Sequence, residues 1–171
     1  MTISNKLTIL RILMVPLFVV LYAYDLMWAS AIVFILASLT DTLDGYLARS
    51  RNEITNFGKF ADPLADKILV ISAIICMVEK GIVPGWALII IITREFVISG
   101  IRMSAATQNV VIAADKLGKI KTVTQMVAIT LLLFKFENIF YVDYILFYIS
   151  VFFTVLSGLS YLVKYGKVLK D

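Results

Sequence analysis

Six long apolar segments, separated by short polar or Gly/Pro-containing turns, constrain the fold more than any other feature of this sequence. They lie near residues 7–24, 28–48, 61–79, 84–104, 119–135 and 140–163. A helix needs about 20 residues to cross the hydrocarbon layer of a membrane. With a hydrophobic content of 61% and a mean hydropathy of +0.94, the chain is far more apolar than a soluble domain of its size. We therefore predict an all-α fold: one integral membrane domain over residues 1–171, built as a bundle of six transmembrane helices.

The basic residues are distributed unevenly between the two predicted sides of the membrane. Fourteen of the 16 Lys and Arg residues fall on the side that holds both termini, and only Lys80 and Lys135 fall on the other. The positive-inside rule then places both termini in the cytoplasm of a multi-pass protein of the cell membrane. The net charge of +4 is explained by this asymmetry and by contacts with anionic membrane lipids, so we do not expect nucleic acid as a partner.

Two residue types that commonly carry chemistry are scarce. The sequence has no histidine, which removes the usual general base and the commonest transition-metal ligand. Its single cysteine, Cys76, lies in an apolar segment, which excludes an intrachain disulfide and favours a packing role. Proton transfer must therefore be carried out by a carboxylate, a lysine or a tyrosine.

Four aspartates stand out because lipid does not tolerate unpaired carboxylates. Asp41 and Asp44 are three residues apart on the second predicted helix, and Asp62 and Asp66 are four apart on the third, so each pair shares a helical face. Where the two faces meet they would form an all-oxygen site, which suits Mg²⁺ or Mn²⁺. We predict that the four carboxylates hold two such ions at the cytoplasmic ends of these helices and that the ions bind a diphosphate.

Two other interpretations of the aspartates remain open. The carboxylates could cap helices or form salt bridges with Arg49, Lys59 and Lys67. They could also line the pathway of a divalent-cation transporter. The clustering of the acids at one membrane face and the absence of an inverted repeat count against a transporter.

The aspartates belong to a longer motif. Residues 41–49 read DTLDGYLAR and residues 58–66 read GKFADPLAD. This resembles, at every defined position, the signature DxxDGxxAR followed by GxxxDxxxD of the CDP-alcohol phosphatidyltransferases. Gly45 and Ala48 have no bulky side chain and so leave room for a flat nucleotide, and Arg49 can reach a phosphate.

The resemblance implies a reaction and roles for the motif residues. In this family an alcohol attacks the phosphorus of a CDP-linked lipid and releases CMP. The first three aspartates act chiefly as metal ligands and the last is the proposed base, which makes Asp66 the expected catalytic residue. The expected CDP-binding residues are Asp41, Asp44, Gly45, Ala48, Arg49 and Gly58. A homodimer is also expected from the family.

A second group of charged residues suggests which alcohol is accepted. Arg94 and Arg102 are eight residues apart, within about 80° of each other on the fourth helix, and as buried cations they could hold an anion. Lys119 and Lys121 open the fifth helix, where backbone N–H groups also favour phosphate. We predict that these four residues bind a phosphate on the acceptor.

Three further segments are similar to bacterial phosphatidylglycerophosphate synthases. They are Asn5–Arg11, Thr93–Glu95 with Ile101–Arg102, and Gly118–Thr122. The similarity implies CDP-diacylglycerol as donor and sn-glycerol 3-phosphate as acceptor. The alternatives within the family are phosphatidylglycerol (a cardiolipin synthase), inositol phosphate, serine or choline as acceptor. The aromatic residues of the last segment are predicted to face lipid or a dimer partner: Phe147, Tyr148, Phe152, Phe153 and Tyr161.

Overall fold

The protein is helical throughout the part of the chain that its computed structural model describes. That part comprises residues 3–51, 56–107, 112, 115–134 and 141–166, with side chains for all of these except 3–4, 41–60, 62–63 and 106–107. Six helices follow one another in it: α1 (Ile3–Ala23), α2 (Met27–Arg51), α3 (Asn56–Glu79), α4 (Gly85–Thr107), α5 (Lys116–Phe134) and α6 (Val142–Tyr165). These helices, with no strand among the described residues, confirm the all-α prediction.

Each predicted apolar segment corresponds to one helix, and the largest difference in bounds, at the start of α3, lies within the acidic motif. α2 continues to Arg51, and α3 begins at Asn56, ahead of the predicted start at residue 61. Apolar windows underestimate these helices because a helix is held by backbone hydrogen bonds, which polar residues form as well as apolar ones. Both aspartate pairs therefore lie on regular helical backbone rather than at helix ends.

Three of the helices are long and apolar enough to cross a membrane, as judged over the described residues. These spans are Asn5–Ala23, Lys116–Phe134 and Val142–Tyr165, and Met27–Thr40 is a shorter apolar helix. α4 does not qualify by composition because Arg94, Glu95 and Arg102 interrupt it. The membrane character of the chain follows from the three spans, whereas six crossings and the cytoplasmic position of the termini stay predictions.

Among the described residues, many large apolar side chains are exposed and two charged side chains are buried. Arg11 is completely buried and Lys121 is 4% exposed, whereas Leu13 and Ile89 are 62% and 66% exposed. Apolar side chains on the outside are stable in contact with lipid, and charged side chains in a membrane protein face the interior. The pattern agrees with the three apolar spans.

The helices form two compact units. The N-terminal unit contains Met1–Ile82 with Leu133–Lys135, and the C-terminal unit contains Val83–Leu132 with Phe136–Asp171. In the N-terminal unit, α1 packs against both α2 and α3, and α2 contacts α3. Buried alanines on α2 and α3, among them Ala37 and Ala65, let the backbones approach closely.

The buried face of α1 changes character along its length. Its residues recur every three or four positions, the spacing of one helical face: Asn5, Thr8, Arg11, Val15, Phe18 and Tyr22. The first three are polar and the last three are apolar or aromatic. Phe18 anchors the apolar half, with its ring centroid 6.1 Å from that of Phe34 on α2. One face of α1 therefore supplies both a polar and an apolar part of this unit.

Lys80, the residue after α3, contacts the turn between α1 and α2. Its Nζ donates a hydrogen bond of 3.0 Å to the carbonyl of Tyr22, pairs with the carboxylate of Asp25, and lies 4.6 Å from the centroid of the Tyr22 ring. Asp25 adopts a left-handed backbone with φ of 61°, a conformation that aspartate tolerates better than most residues. The contacts tie the end of α3 to the first turn of the chain.

In the C-terminal unit, α4 packs against α6. The buried face of α6 carries hydroxyl side chains that hydrogen-bond to carbonyls of the same helix: Ser150 to Phe147, Thr154 to Ser150, and Ser157 to Thr154. Phe147 and Tyr161 are buried on this face, so the prediction that they face lipid or a partner is wrong. The periodicity of aromatic residues alone does not show which of them point inward.

Candidate active site

The acidic motif lies on α2 and α3, two helices of the N-terminal unit that contact each other. Asp66 is the one motif aspartate whose side chain is described; it is half-buried and has at least one polar or electrostatic partner. The remaining predicted residues have helical backbone, but their side chains lie outside the described part of the structure: Asp41, Asp44, Gly45, Ala48, Arg49, Gly58 and Asp62. Their roles stay predictions; among the side chains that the structure describes, no group of three potential metal ligands occurs.

Small residues precede the two aspartate positions of α3. Ala61 is 9% exposed, Ala65 is completely buried, and Leu69 continues the same face one turn later. Position 66 directly follows Ala65, and the Asp66 side chain is half-buried. This placement is suited to a carboxylate that acts at a helix contact.

The polar half of α1 lies at the same end of the unit as the acidic motif. Consecutive helices joined by short connections run antiparallel, so the start of α1, the end of α2 and the start of α3 lie together. Asn5, Thr8 and Arg11 are all buried on the α1 face. The sequence predicts no site role for these three residues, although Arg11 is a charged residue inside an apolar segment.

A second charged cluster lies inside the C-terminal unit. One carboxylate oxygen of Glu95, Oε1, accepts hydrogen bonds from Arg94 Nη1 at 2.9 Å and from Lys121 Nζ at 2.6 Å. The three side chains are 14%, 12% and 5% exposed, respectively. The structure therefore brings two of the predicted phosphate-binding residues, Arg94 and Lys121, together around a carboxylate.

The Arg94 side chain is held along its length by the other two helices of the unit. Its Nε donates to Ser157 Oγ on α6 at 3.1 Å. Two glycines make room for it: a Cβ at Gly118 would lie 3.3 Å from Arg94 Nη2, and a Cβ at Gly158 would lie 3.3 Å from Arg94 Cγ. Any side chain at either position would require Arg94 to move.

The other two predicted phosphate ligands differ from this pair. Arg102 is exposed, so the prediction that it is buried is wrong; it donates to the hydroxyl of Tyr161 through Nη2 at 2.9 Å and Nε at 3.2 Å. Lys119 is also exposed. Residues two positions apart on a helix differ by about 200° in direction, which is why Lys119 and Lys121 face different surroundings.

Sequence analysis missed three residues that contact the predicted phosphate ligands. Glu95 and Ser157 contact Arg94, and Tyr161 contacts Arg102. Glu95 could have been found from the sequence, because an acidic residue beside an arginine on an apolar helix needs a charged or hydrogen-bonding partner. The sequence gives no indication of the roles of Ser157 and Tyr161, since hydroxyl and aromatic residues are common in membrane helices.

Comparison with known proteins identifies the family. Residues 1–156 match the family described as CDP-alcohol phosphatidyltransferase. The chain is 42% identical to the CDP-diacylglycerol–glycerol-3-phosphate 3-phosphatidyltransferase of Bacillus subtilis, over 97% of this chain and 96% of that protein. Proteins of the same name from Rickettsia typhi and Salmonella typhimurium are 39% and 37% identical, over 92% and 94% of this chain and 93% and 92% of their own lengths. The chain belongs to the CDP-alcohol phosphatidyltransferase family.

Proposed function

We propose that this protein transfers the phosphatidyl group of CDP-diacylglycerol to sn-glycerol 3-phosphate, forming phosphatidylglycerol phosphate and CMP. The observation that carries the proposal is its similarity, at 37–42% identity and over nearly the whole length of both chains, to relatives that are named for this reaction. The complete acidic motif and the internal cationic cluster support it, because the reaction needs one site for a diphosphate and one for a phosphate.

Asp41, Asp44, Asp62 and Asp66 would hold two divalent ions, Mg²⁺ or Mn²⁺. Their donor set fits such ions, because it offers carboxylate oxygens without histidine or thiolate and comes from two helices in contact. When bound, the ions supply charge stabilisation at the diphosphate and at the leaving phosphate. Gly45, Ala48, Arg49 and Gly58, on the same two helices, would contact the CDP group.

Asp66 is proposed as the base. The hydroxyl oxygen of the acceptor forms a bond to the donor phosphorus, the bond from that phosphorus to the CMP oxygen breaks, and the hydroxyl proton passes to a carboxylate. With no histidine in the chain, a carboxylate base is chemically reasonable. An Asp66→Asn variant that turns over at nearly the wild-type rate would show that the base is another residue.

Arg94 and Lys121, assisted by Arg102 and Lys119, would bind the acceptor phosphate. A phosphate monoester carries about two negative charges at pH 7, whereas serine is a zwitterion, choline is a cation and phosphatidylglycerol carries a single diester charge, so glycerol 3-phosphate has the greater need for a cationic pocket. Arginine suits this role because its planar N–H groups match phosphate oxygens. The cluster therefore favours a phosphorylated acceptor.

The membrane arrangement is also part of the proposal. The protein would cross the cell membrane six times with both termini in the cytoplasm, form a homodimer, and take its water-soluble substrate from the cytoplasmic side. The positive-inside asymmetry of the sequence supports this orientation.

The decisive experiment measures CMP release from CDP-diacylglycerol by the purified protein in mixed micelles. We expect release with sn-glycerol 3-phosphate and only background release without an acceptor. A parallel panel contains inositol phosphate, serine, choline and phosphatidylglycerol. Faster release with any of these would reassign the acceptor, and no release with any acceptor, sn-glycerol 3-phosphate included, would contradict the proposed function.

A further inference from the structure

Glu95 is placed to control both cations of the internal cluster at once. Its Oε1 accepts from Arg94 on its own helix and from Lys121 on α5, so a single oxygen joins α4 to α5. We propose that Glu95 is a positioning residue for the acceptor: its carboxylate holds Arg94 and Lys121 in the geometry that binds the phosphate of glycerol 3-phosphate. This inference rests on the proposed function, which assigns that phosphate to these cations.

Electrostatics explains why the cluster needs an acid. Two like charges repel strongly where little water is present, and Arg94 and Lys121 are both largely buried. The Glu95 carboxylate attracts both cations, which offsets their mutual repulsion. The three side chains together carry one net positive charge. That charge still attracts an anion, while the carboxylate prevents the cations from moving apart before the anion arrives.

Contacts with three helices fix the conformation of the Arg94 side chain. Its Nε is bound to Ser157, its Nη1 is bound to Glu95, and Gly118 and Gly158 leave the space through which it passes. A side chain that is already ordered loses less conformational entropy when a ligand binds. Lys121, with a long flexible chain, gains most from the anchor that Glu95 provides.

A competing role for Glu95 predicts the opposite effect on binding. If its carboxylate only occupied the place of the phosphate, removing the charge would strengthen acceptor binding. If it positions the cations, removing the charge weakens binding, because Arg94 and Lys121 then repel each other and lose their common partner. The direction of the change in KM therefore separates the two roles.

The test is Glu95→Gln, which keeps the size of the side chain and removes its charge. We expect the KM for glycerol 3-phosphate to rise roughly tenfold, while kcat and the KM for CDP-diacylglycerol change by less than about twofold. The matched control is Glu79→Gln, the same chemical change at an exposed position at the end of α3; it should leave all three constants at wild-type values. Thermal unfolding in detergent is measured for each variant.

Glu95→Asp provides the second arm, because it restores the charge on a shorter side chain. We expect a KM for glycerol 3-phosphate between those of the wild type and Glu95→Gln. If Glu95→Gln does not fold, Glu95→Asp decides alone: a raised acceptor KM with an unchanged lipid KM supports the proposal, and an unchanged acceptor KM overturns it.

Three other results would overturn the positioning role. They are a lower acceptor KM in Glu95→Gln, an equal rise in the KM of both substrates, and loss of folding in both Glu95 variants while Glu79→Gln folds normally. Failure of the proposed function is a separate result, seen in the wild type alone as an absence of CMP release that depends on glycerol 3-phosphate.

Discussion

The two helical units differ in the signs of the charges that their predicted sites carry. The acidic motif on α2 and α3 of the N-terminal unit contributes four aspartates, all of one sign, for which we propose divalent ions as counter-charges. The C-terminal unit carries its counter-charges in its own sequence, as Arg94 and Lys121 around Glu95. Under the proposed function, one site would be completed by ions from solution, whereas the counter-charges of the other already lie together in the folded chain.

The largest expected effect comes from removing divalent ions. We expect EDTA to lower CMP release by about a thousandfold or more, since charge stabilisation worth several kcal/mol is lost, and added Mg²⁺ or Mn²⁺ to restore it. Binding of glycerol 3-phosphate, measured by calorimetry on the metal-free protein, should persist, because its cations belong to the protein. Two results would contradict this difference between the units: turnover that EDTA does not lower, or acceptor binding that is lost when the metal is removed.

Lys121→Met tests the self-contained site directly. Lys121 is buried on α5 and shares the Glu95 oxygen with Arg94, so its loss should raise the KM for glycerol 3-phosphate by roughly tenfold or more and lower the unfolding temperature. The matched control is Lys116→Met in the first turn of the same helix, where the side chain is exposed. Equal effects of the two substitutions on acceptor KM would show that only the net charge of α5 matters.

Gly158→Ala should have a smaller effect on the same site. The added methyl would lie 3.3 Å from Arg94 Cγ, so we expect a shifted arginine and an acceptor KM raised by roughly threefold, a loss below 1 kcal/mol. Gly100→Ala on α4 is the control, since a Cβ there meets nothing within 4 Å. The control should unfold at the wild-type temperature or slightly higher, because alanine favours helix. Identical kinetics of the two variants would argue that Arg94 adjusts without cost.

The smallest effect is expected at the turn of the N-terminal unit. Asp25→Asn removes the charge that pairs with Lys80 and keeps a residue that tolerates the positive φ. Because the Asp25 side chain is 77% exposed, the loss of stability should be below about 1 kcal/mol, and turnover should not change. A large drop in the unfolding temperature in a thermal scan would show that this contact contributes more than an exposed ion pair does.

Much of the fold could be predicted from the sequence because the relevant signals are local. Six apolar segments became six helices, and the largest error at a bound, at the start of α3, occurred where polar motif residues extend the helix. The acidic motif was recognisable because its residues are close in sequence and fall at helical spacings. Cys76 was predicted to have a packing role, and it is a buried free cysteine.

The candidate phosphate site was only partly predictable. Arg94 and Lys121 were expected to lie together, and they share Glu95, but Arg102 was expected to be buried and is exposed. The angle between two positions on an ideal helix says that they share a face; it does not say which neighbour covers each turn of that face. For the same reason Tyr161 was predicted to face outward and is buried.

The sequence by itself determined the helical class, the membrane character and the acidic motif, because helix length, hydropathy and i, i+3 or i, i+4 spacing are properties of neighbouring residues. Only the tertiary structure decided that Glu95 joins Lys121, and that Ser157 and two glycines on other helices specify the course of Arg94. Those contacts link positions far apart in the chain. They depend on how whole helices pack and rotate against one another, and that arrangement is set by the sum of all their buried contacts.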